Sequence, residues 1–231
     1  MTDTNKLVEE LFAAGAHLGH KTNRVYPKAK KYIYTIDNGV SIIDLVKTVE
    51  GLEKGLTFIS NLATNNKVLL IVVTKRVSSA MAQELCKTNN IAYVTMKWPA
   101  GLLTNFDKII KNAKKLKQMK EEKEKGEWNK FVKHEQVKMT KDMNRLERLY
   151  GGLVSLTKLP DALFVIDIKK EKNAVNEGSY MHVPVVAITD TNVNPDLVTY
   201  AIPANDDSLT SIEYLLKKIV EAYASNKSKV N

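Results

Sequence analysis

Cysteine is nearly missing from this 231-residue chain: Cys86 stands alone, so no internal disulfide can form. No secretory leader is legible at the N-terminus, and the two features together lead us to expect a reducing, cytoplasmic setting. Long apolar runs are also lacking. None reaches the ~18 residues needed to span a bilayer, so a membrane partner is not expected. The phosphate-cradling patterns GxGxxG and GxxxxGK[ST] are absent, as are CxxC and HExxH, which removes the strong signals for a nucleotide cofactor or a zinc site. His17 and His20 are three apart, but the flanking Gly15 and Gly19 argue against a helix that would present both to a metal. No metal and no cofactor are expected.

What is present is positive charge. Thirty-five Lys and Arg against 26 Asp and Glu leave a formal charge of +9, an excess that favours a polyanionic partner, above all nucleic acid. The excess is concentrated. From Lys21 to Lys31 the chain carries Lys21, Arg24, Lys28, Lys30 and Lys31 and no carboxylate. Tyr26, Tyr32 and Tyr34 lie among or just after them. Cations beside aromatic rings suit phosphate contact combined with stacking on bases or sugars.

Around this segment the pattern is that of an α/β domain. Leu7, Val8, Leu11 and Phe12 have helical spacing; Tyr32–Ile36 alternates like a strand; Asp37-Asn38-Gly39 is a turn signal; a helix is expected from about Asp44 to Asn61. Apolar runs at 67–74, 91–96, 162–168 and 184–189, with a shorter one at 198–203, read as strands buried on both faces. Helices are expected at 78–87 and 170–179, with a last one beginning near Asp206, Asp207 or Ser208. These elements imply a three-layer sandwich around a mainly parallel five-stranded sheet, formed by residues 1–103 and 150–225, with a frayed tail at 226–231.

Between its halves lies a charged insertion, 104–149. Thr104 or Asn105 can cap its first helix, where Phe106, Ile109, Ile110, Ala113, Leu116 and Met119 form one stripe. After Gly126, a return helix carries Phe131, Met139, Met143, Leu146 and Leu149. Narrow stripes of this kind fit an antiparallel coiled-coil hairpin reaching ~30 Å. Its many lysines, Lys108, Lys111 and Lys115 among them, are interspersed with acids, so both an RNA-binding arm and a protein-binding coiled coil fit. Lys75, Arg76 and Lys97 lie near the root of this arm. A competing reading places Lys75, Asp167 and Asp190 at the carboxyl edge of the sheet, where a phosphate-handling enzyme would hold its ligand.

Several blocks, in order, resemble the family of the second protein of the small ribosomal subunit: Gly15-Ala16-His17-Leu18-Gly19-His20, Pro27-Lys28, Asn38-Gly39, Ile42-Ile43-Asp44-Leu45 with Lys47-Thr48, Thr74-Lys75, Trp98, Leu103-Thr104-Asn105-Phe106, Gly151-Gly152, Leu159-Pro160-Asp161, Asp190-Thr191-Asn192, Pro195-Asp196 and Asn205-Asp206-Asp207. The chain departs from that family's pattern at Val25-Tyr26, Val73, Pro99-Ala100, His134 and Ala204. The resemblance implies an α/β domain with a protruding coiled-coil hairpin and no enzymatic activity. It implies partners as well: small-subunit rRNA, neighbouring ribosomal proteins and, in lineages that have it, the large mRNA-binding ribosomal protein. On both grounds the expected RNA-contacting residues are Lys21, Arg24, Tyr26, Lys28, Lys30, Lys31, Tyr32, Lys75, Arg76, Lys97, Asn105, Lys108, Lys111 and Lys115.

Overall fold

A computed structural model describes residues 2–227, with side chains from residue 4 onward. The fold is built on a parallel sheet of five short strands: β4 (Leu69–Val72), β5 (Ala92–Val94), β6 (Ala162–Ile166), β7 (Val185–Thr189) and β8 (Tyr200–Pro203), in the order β5-β4-β6-β7-β8. The register brings Ile71 opposite Phe164 and Val165 opposite Ala187.

Side chains alternate across a strand, and here both faces are apolar, hence the unbroken apolar runs. Leu69, Ile71, Phe164, Ile166, Val186 and Ile188 enter one core; Leu70, Val72, Leu163, Val165, Val185 and Ala187 enter the other. The first core is closed by helices α1 (Thr2–Ala13), α2 (Leu45–Thr64), α3 (Ser79–Thr88) and α7 (Leu209–Lys227). The second is closed by Trp98, Leu102, Leu103, the start of α4 (Phe106–Glu124), Leu153 and α6 (Lys172–Tyr180). These are the three layers that the strand pattern implied. Successive connections leave β4 and β6 in opposite directions along the sheet, which makes the ends of those two strands the topological switch point.

Helix α2 starts where the Asp44 carboxylate accepts the Val46 N–H at 3.1 Å. It lies unusually close to β8, because Gly51 presents no side chain there; a Cβ would meet the Ala201 carbonyl oxygen at 2.6 Å.

A second, antiparallel sheet has the order β1-β3-β2, from β1 (Leu18–Lys21), β2 (Ile33–Asp37) and β3 (Val40–Ile43). Asn38 and Gly39 both take positive φ, 46° and 77°, the geometry a two-residue hairpin turn requires. Strand β1 was not foreseen. Its residues become a strand only by pairing Leu18 with Ile42 and Lys21 with Val40. Ala100 and Ala204, two departures from the family pattern, do not take positive φ; Gly101 does, at 86°.

The insertion forms a helical hairpin, α4 followed by α5 (Lys133–Tyr150), with Gly126 turning at φ 72°. Ile110, Ala113, Leu116 and Met119 of the α4 stripe are buried, the first two in the domain's second core. The α5 stripe is only half-buried along Met139, Met143, Leu146 and Leu149. At the C-terminus, Asn226 and Lys227, expected to fray, continue α7; residues 228–231 lie outside the described ones. No helix among the described residues is long and apolar enough to cross a membrane.

Candidate nucleic-acid interface

The basic segment is not a free loop. It leaves β1 and folds into two 3₁₀ turns, Thr22–Arg24 and Pro27–Tyr32. Gly19 lets β1 pass tightly over Thr191, whose side chain a Cβ would meet at 2.8 Å. The His20 N–H then donates to Thr191 Oγ1 at 2.9 Å, and the Tyr26 N–H donates to the Thr191 carbonyl at 2.8 Å. Ala29 is buried beneath the second turn. Pinned at these points, the segment directs Lys21, Arg24, Lys28, Lys30 and Lys31 outward, all exposed, with Tyr26 exposed and Tyr32 half-buried.

Two of the cations line separate clefts. Lys30 lines one of about 470 Å³ with Val25, Ile33, Tyr34 and Ile36. Lys31 lines another, of about 540 Å³, with Tyr32, Lys47, Lys54, Asp196 and Tyr200. Lys31 Nζ also lies 5.2 Å from the centre of the Tyr32 ring. Two of these cations already hold a partner: Lys28 Nζ is 2.9 Å and Lys31 Nζ 3.1 Å from the Asp196 carboxylate. Hydrogen bonds from Lys28 and then Lys31 hold that carboxyl below the usual range, and Asp196 holds the Lys31 ammonium above its own.

Arg76 is exposed in the loop after β4, and Lys97, Asn105, Lys108, Lys111 and Lys115 are exposed just before α4 and along it. Asn105 occupies the N-cap of α4, but its side chain makes no capping bond.

Lys75 is different. Its ammonium donates to the Asp206 carbonyl oxygen at 2.6 Å and to the carboxylates of Asp206 and Asp207, each at 2.7 Å, and it lies 3.2 Å from Asp167. Three donors are all that an ammonium has. Burial alone would lower its pKa; the Asp206 charge and the hydrogen bonds to Asp206 and Asp207 outweigh that and hold the ammonium above its usual range. The sequence reading pointed Lys75 at RNA; in the fold its ammonium is engaged by Asp206, Asp207 and Asp167 at the switch point.

The same lysine and Asp167 are the pair an enzyme reading needs, and the fold does bring them together. Asp167 sits there at φ 64°. Asp190, the third member, pairs instead with His20, whose Nδ1 lies 3.1 Å from its carboxylate. The hydrogen bond from His20 to the Asp190 carboxylate raises the His20 pKa above the ordinary imidazole value against the opposing pull of burial. On its other side, His20 Nε2 meets the Asn192 amide nitrogen at 2.9 Å and Asp207 at 3.6 Å. Ligand-type atoms of His20, Asp190 and Asp207 all lie within 4.8 Å of one another, and these are the described residues grouped closely enough to hold a metal ion.

Sequence reasoning missed Asp196, Lys47 and Lys54 as parts of the surface. Lys47 and Asp196 stood in blocks of the family pattern without a role, and Lys54 had no signal beyond its place on a helix.

The chain matches the family model for ribosomal protein S2 over residues 11–226. Among curated proteins it is 39% identical to the small ribosomal subunit protein uS2 of one Dehalococcoides mccartyi strain, over 96% of this chain and 90% of that protein. It is also 39% identical to the uS2 of Roseiflexus castenholzii, over 92% of this chain and 81% of that protein. With the match running almost end to end, and with the α/β architecture that the residue blocks implied, the chain belongs to the ribosomal protein S2 family.

Proposed function

We propose that this protein is a structural component of the small ribosomal subunit that binds small-subunit rRNA through its basic segment and arm. The family is one of ribosomal proteins and not of enzymes. The observation that carries the RNA reading is the segment from Lys21 to Lys31: five cations and no acid, pinned to the core at Thr191 and Ala29 with the cations exposed. Neutralising phosphates from a rigid mount releases counterions and favours recognition by shape over sequence. Lys21, Arg24, Lys28, Lys30 and Lys31 contact phosphates; Tyr26 and Tyr32 stack; Arg76, Lys97, Asn105, Lys108, Lys111 and Lys115 extend the footprint along the hairpin 104–149, which works as a projecting coiled-coil arm. Neighbouring subunit proteins, including the large mRNA-binding one where a lineage has it, dock on the remaining surface. The protein resides in the ribosomes of the cytoplasm.

The test is replacement of Lys28, Lys30 and Lys31 by Ala, with binding to small-subunit particles depleted of this protein followed across a salt series. Affinity should fall, and the slope of log K against log salt should flatten by about 0.7–0.9 for each phosphate that is no longer neutralised. An unchanged slope would remove the segment from the interface. Deleting residues 107–149 and measuring incorporation into particles tests the arm separately.

A further inference from the structure

Asp196 has an unusual position for an acid on this surface. A 3₁₀ helix has three residues per turn, so residues three apart eclipse one another. Lys28 and Lys31 therefore project from the same side of the turn Pro27–Tyr32, and the two ammoniums converge on one carboxylate. Each takes a different oxygen, Lys28 on Oδ2 at 2.9 Å and Lys31 on Oδ1 at 3.1 Å. The carboxylate arrives on a short turn of its own, Pro195–Leu197, fixed by the buried Pro195 and by the Asn194 side chain, which accepts the Asp196 N–H at 3.1 Å. The group remains open to solvent, 44% exposed. Beside it is the cleft of about 540 Å³ walled by Tyr32, Lys47, Lys54 and Tyr200, with Glu50 as the one further acid on its wall. An anion with two oxygens, held by two lysines at the mouth of a basic, tyrosine-lined cleft, has the charge and the donor arrangement of a bound phosphodiester.

We propose that Asp196 is an internal stand-in for an RNA phosphate: it holds Lys28 and Lys31 together in the free protein and gives them up to a phosphate of an unpaired nucleotide, which enters the cleft beside Tyr32. The proposal rests on the reading of this segment as the rRNA interface. It makes Asp196 a positioning residue with a cost, because binding must first break its two ion pairs. Exposed pairs of this kind are weak enough for a phosphate to displace them.

The experiment is a salt-series measurement of binding to small-subunit particles depleted of this protein, with four proteins: the native chain, Asp196→Asn, the double variant Lys28→Ala with Lys31→Ala, and the triple combination. Asp196→Ser serves as a second probe, and circular dichroism melts check that each variant folds. At ~0.1 M salt, Asp196→Asn should bind about three- to tenfold tighter, the scale of two exposed ion pairs, and that gain should vanish in the triple variant. Unchanged or weaker binding by both Asp196 variants would overturn the proposal. So would an undiminished gain in the triple variant, which would reduce Asp196 to general repulsion of RNA. Native-like binding by the double lysine variant would overturn both this proposal and the placement of the interface; weakened binding by that variant without a gain from Asp196→Asn would overturn this proposal alone.

Discussion

The Glu177 carboxylate on α6 accepts the indole N–H of Trp98 at 2.9 Å, and with that one bond the helix takes hold of the loop that launches the arm. The same carboxylate accepts the backbone N–H groups of Gly101 at 2.8 Å and Leu103 at 3.0 Å, with Thr104 at 3.4 Å. Burial alone would raise its pKa, but the Trp98 and backbone hydrogen bonds outweigh that and hold it below the usual glutamate value. Glu177→Ala should therefore destabilise the protein by about 2–4 kcal/mol, since several donors lose a charged acceptor at once. Glu177→Gln should cost less. A carboxyl with a depressed folded pKa contributes stability that is full above its unfolded value of about 4.3 and fades as pH falls through the folded value. In urea melts the gap between native and Glu177→Ala protein should accordingly narrow as pH falls below the unfolded value; a gap that stays constant with falling pH would assign the effect to packing.

Gly51 makes a sharper packing prediction. A Cβ at this position would come within 2.6 Å of the Ala201 carbonyl oxygen, which belongs to the β8 backbone and cannot swing away. Gly51→Ala should lift α2 from β8 and cost about 1–3 kcal/mol. At Gly55, one turn on, the nearest atom is a Val186 methyl at 3.2 Å. That neighbour is a side chain, so Gly55→Ala should cost less than Gly51→Ala. Equal midpoints for the two variants in chemical denaturation would contradict the difference drawn here.

The parallel sheet was legible because burial on both faces removes polar residues from its strands, as in Leu69–Val72 and Ala162–Ile166. The hairpin turn at Asn38-Gly39 was legible because those residue types suit positive φ. Strand β1 was not: Leu18-Gly19-His20-Lys21 has no local strand signal, and only its pairing with β3 makes it one. The site divides in the same way. An acid-free run of cations can be read from sequence, but the partner of Lys31 is 165 residues away. Nothing near Lys75 in the sequence announces that Asp206 and Asp207 will hold its ammonium.

His20 supplies a pH dependence of opposite sign to that of Glu177. Its folded pKa is raised, chiefly by the hydrogen bond to Asp190. A base of this kind stabilises fully below its unfolded pKa of about 6.5 and loses that contribution as pH rises through the folded value. Native protein should thus gain about 1–3 °C in Tm over His20→Gln at pH 6 compared with pH 8. Parallel Tm profiles for the two proteins across this range would show that the pair carries no such linkage.

Lys75 offers the cleanest separation between a strut and an RNA contact. Replacing it with Met leaves Asp206 and Asp167 near the switch point without their cation, and Asp206 is buried. Burial already pushes the Asp206 carboxyl up, with Lys75 opposing the shift. Loss of one partner from a buried pair costs about 3–5 kcal/mol, so Lys75→Met should be strongly destabilised at pH 8. The variant has an escape as pH falls: an acid whose folded pKa is raised regains stability on protonation, so the deficit against native protein should shrink by pH 5.5. Binding to depleted subunit particles should retain the native salt slope, because Lys75 has no ammonium proton left to offer a phosphate. A variant that stays fully stable at pH 8 but shows a flattened slope would return Lys75 to the RNA interface.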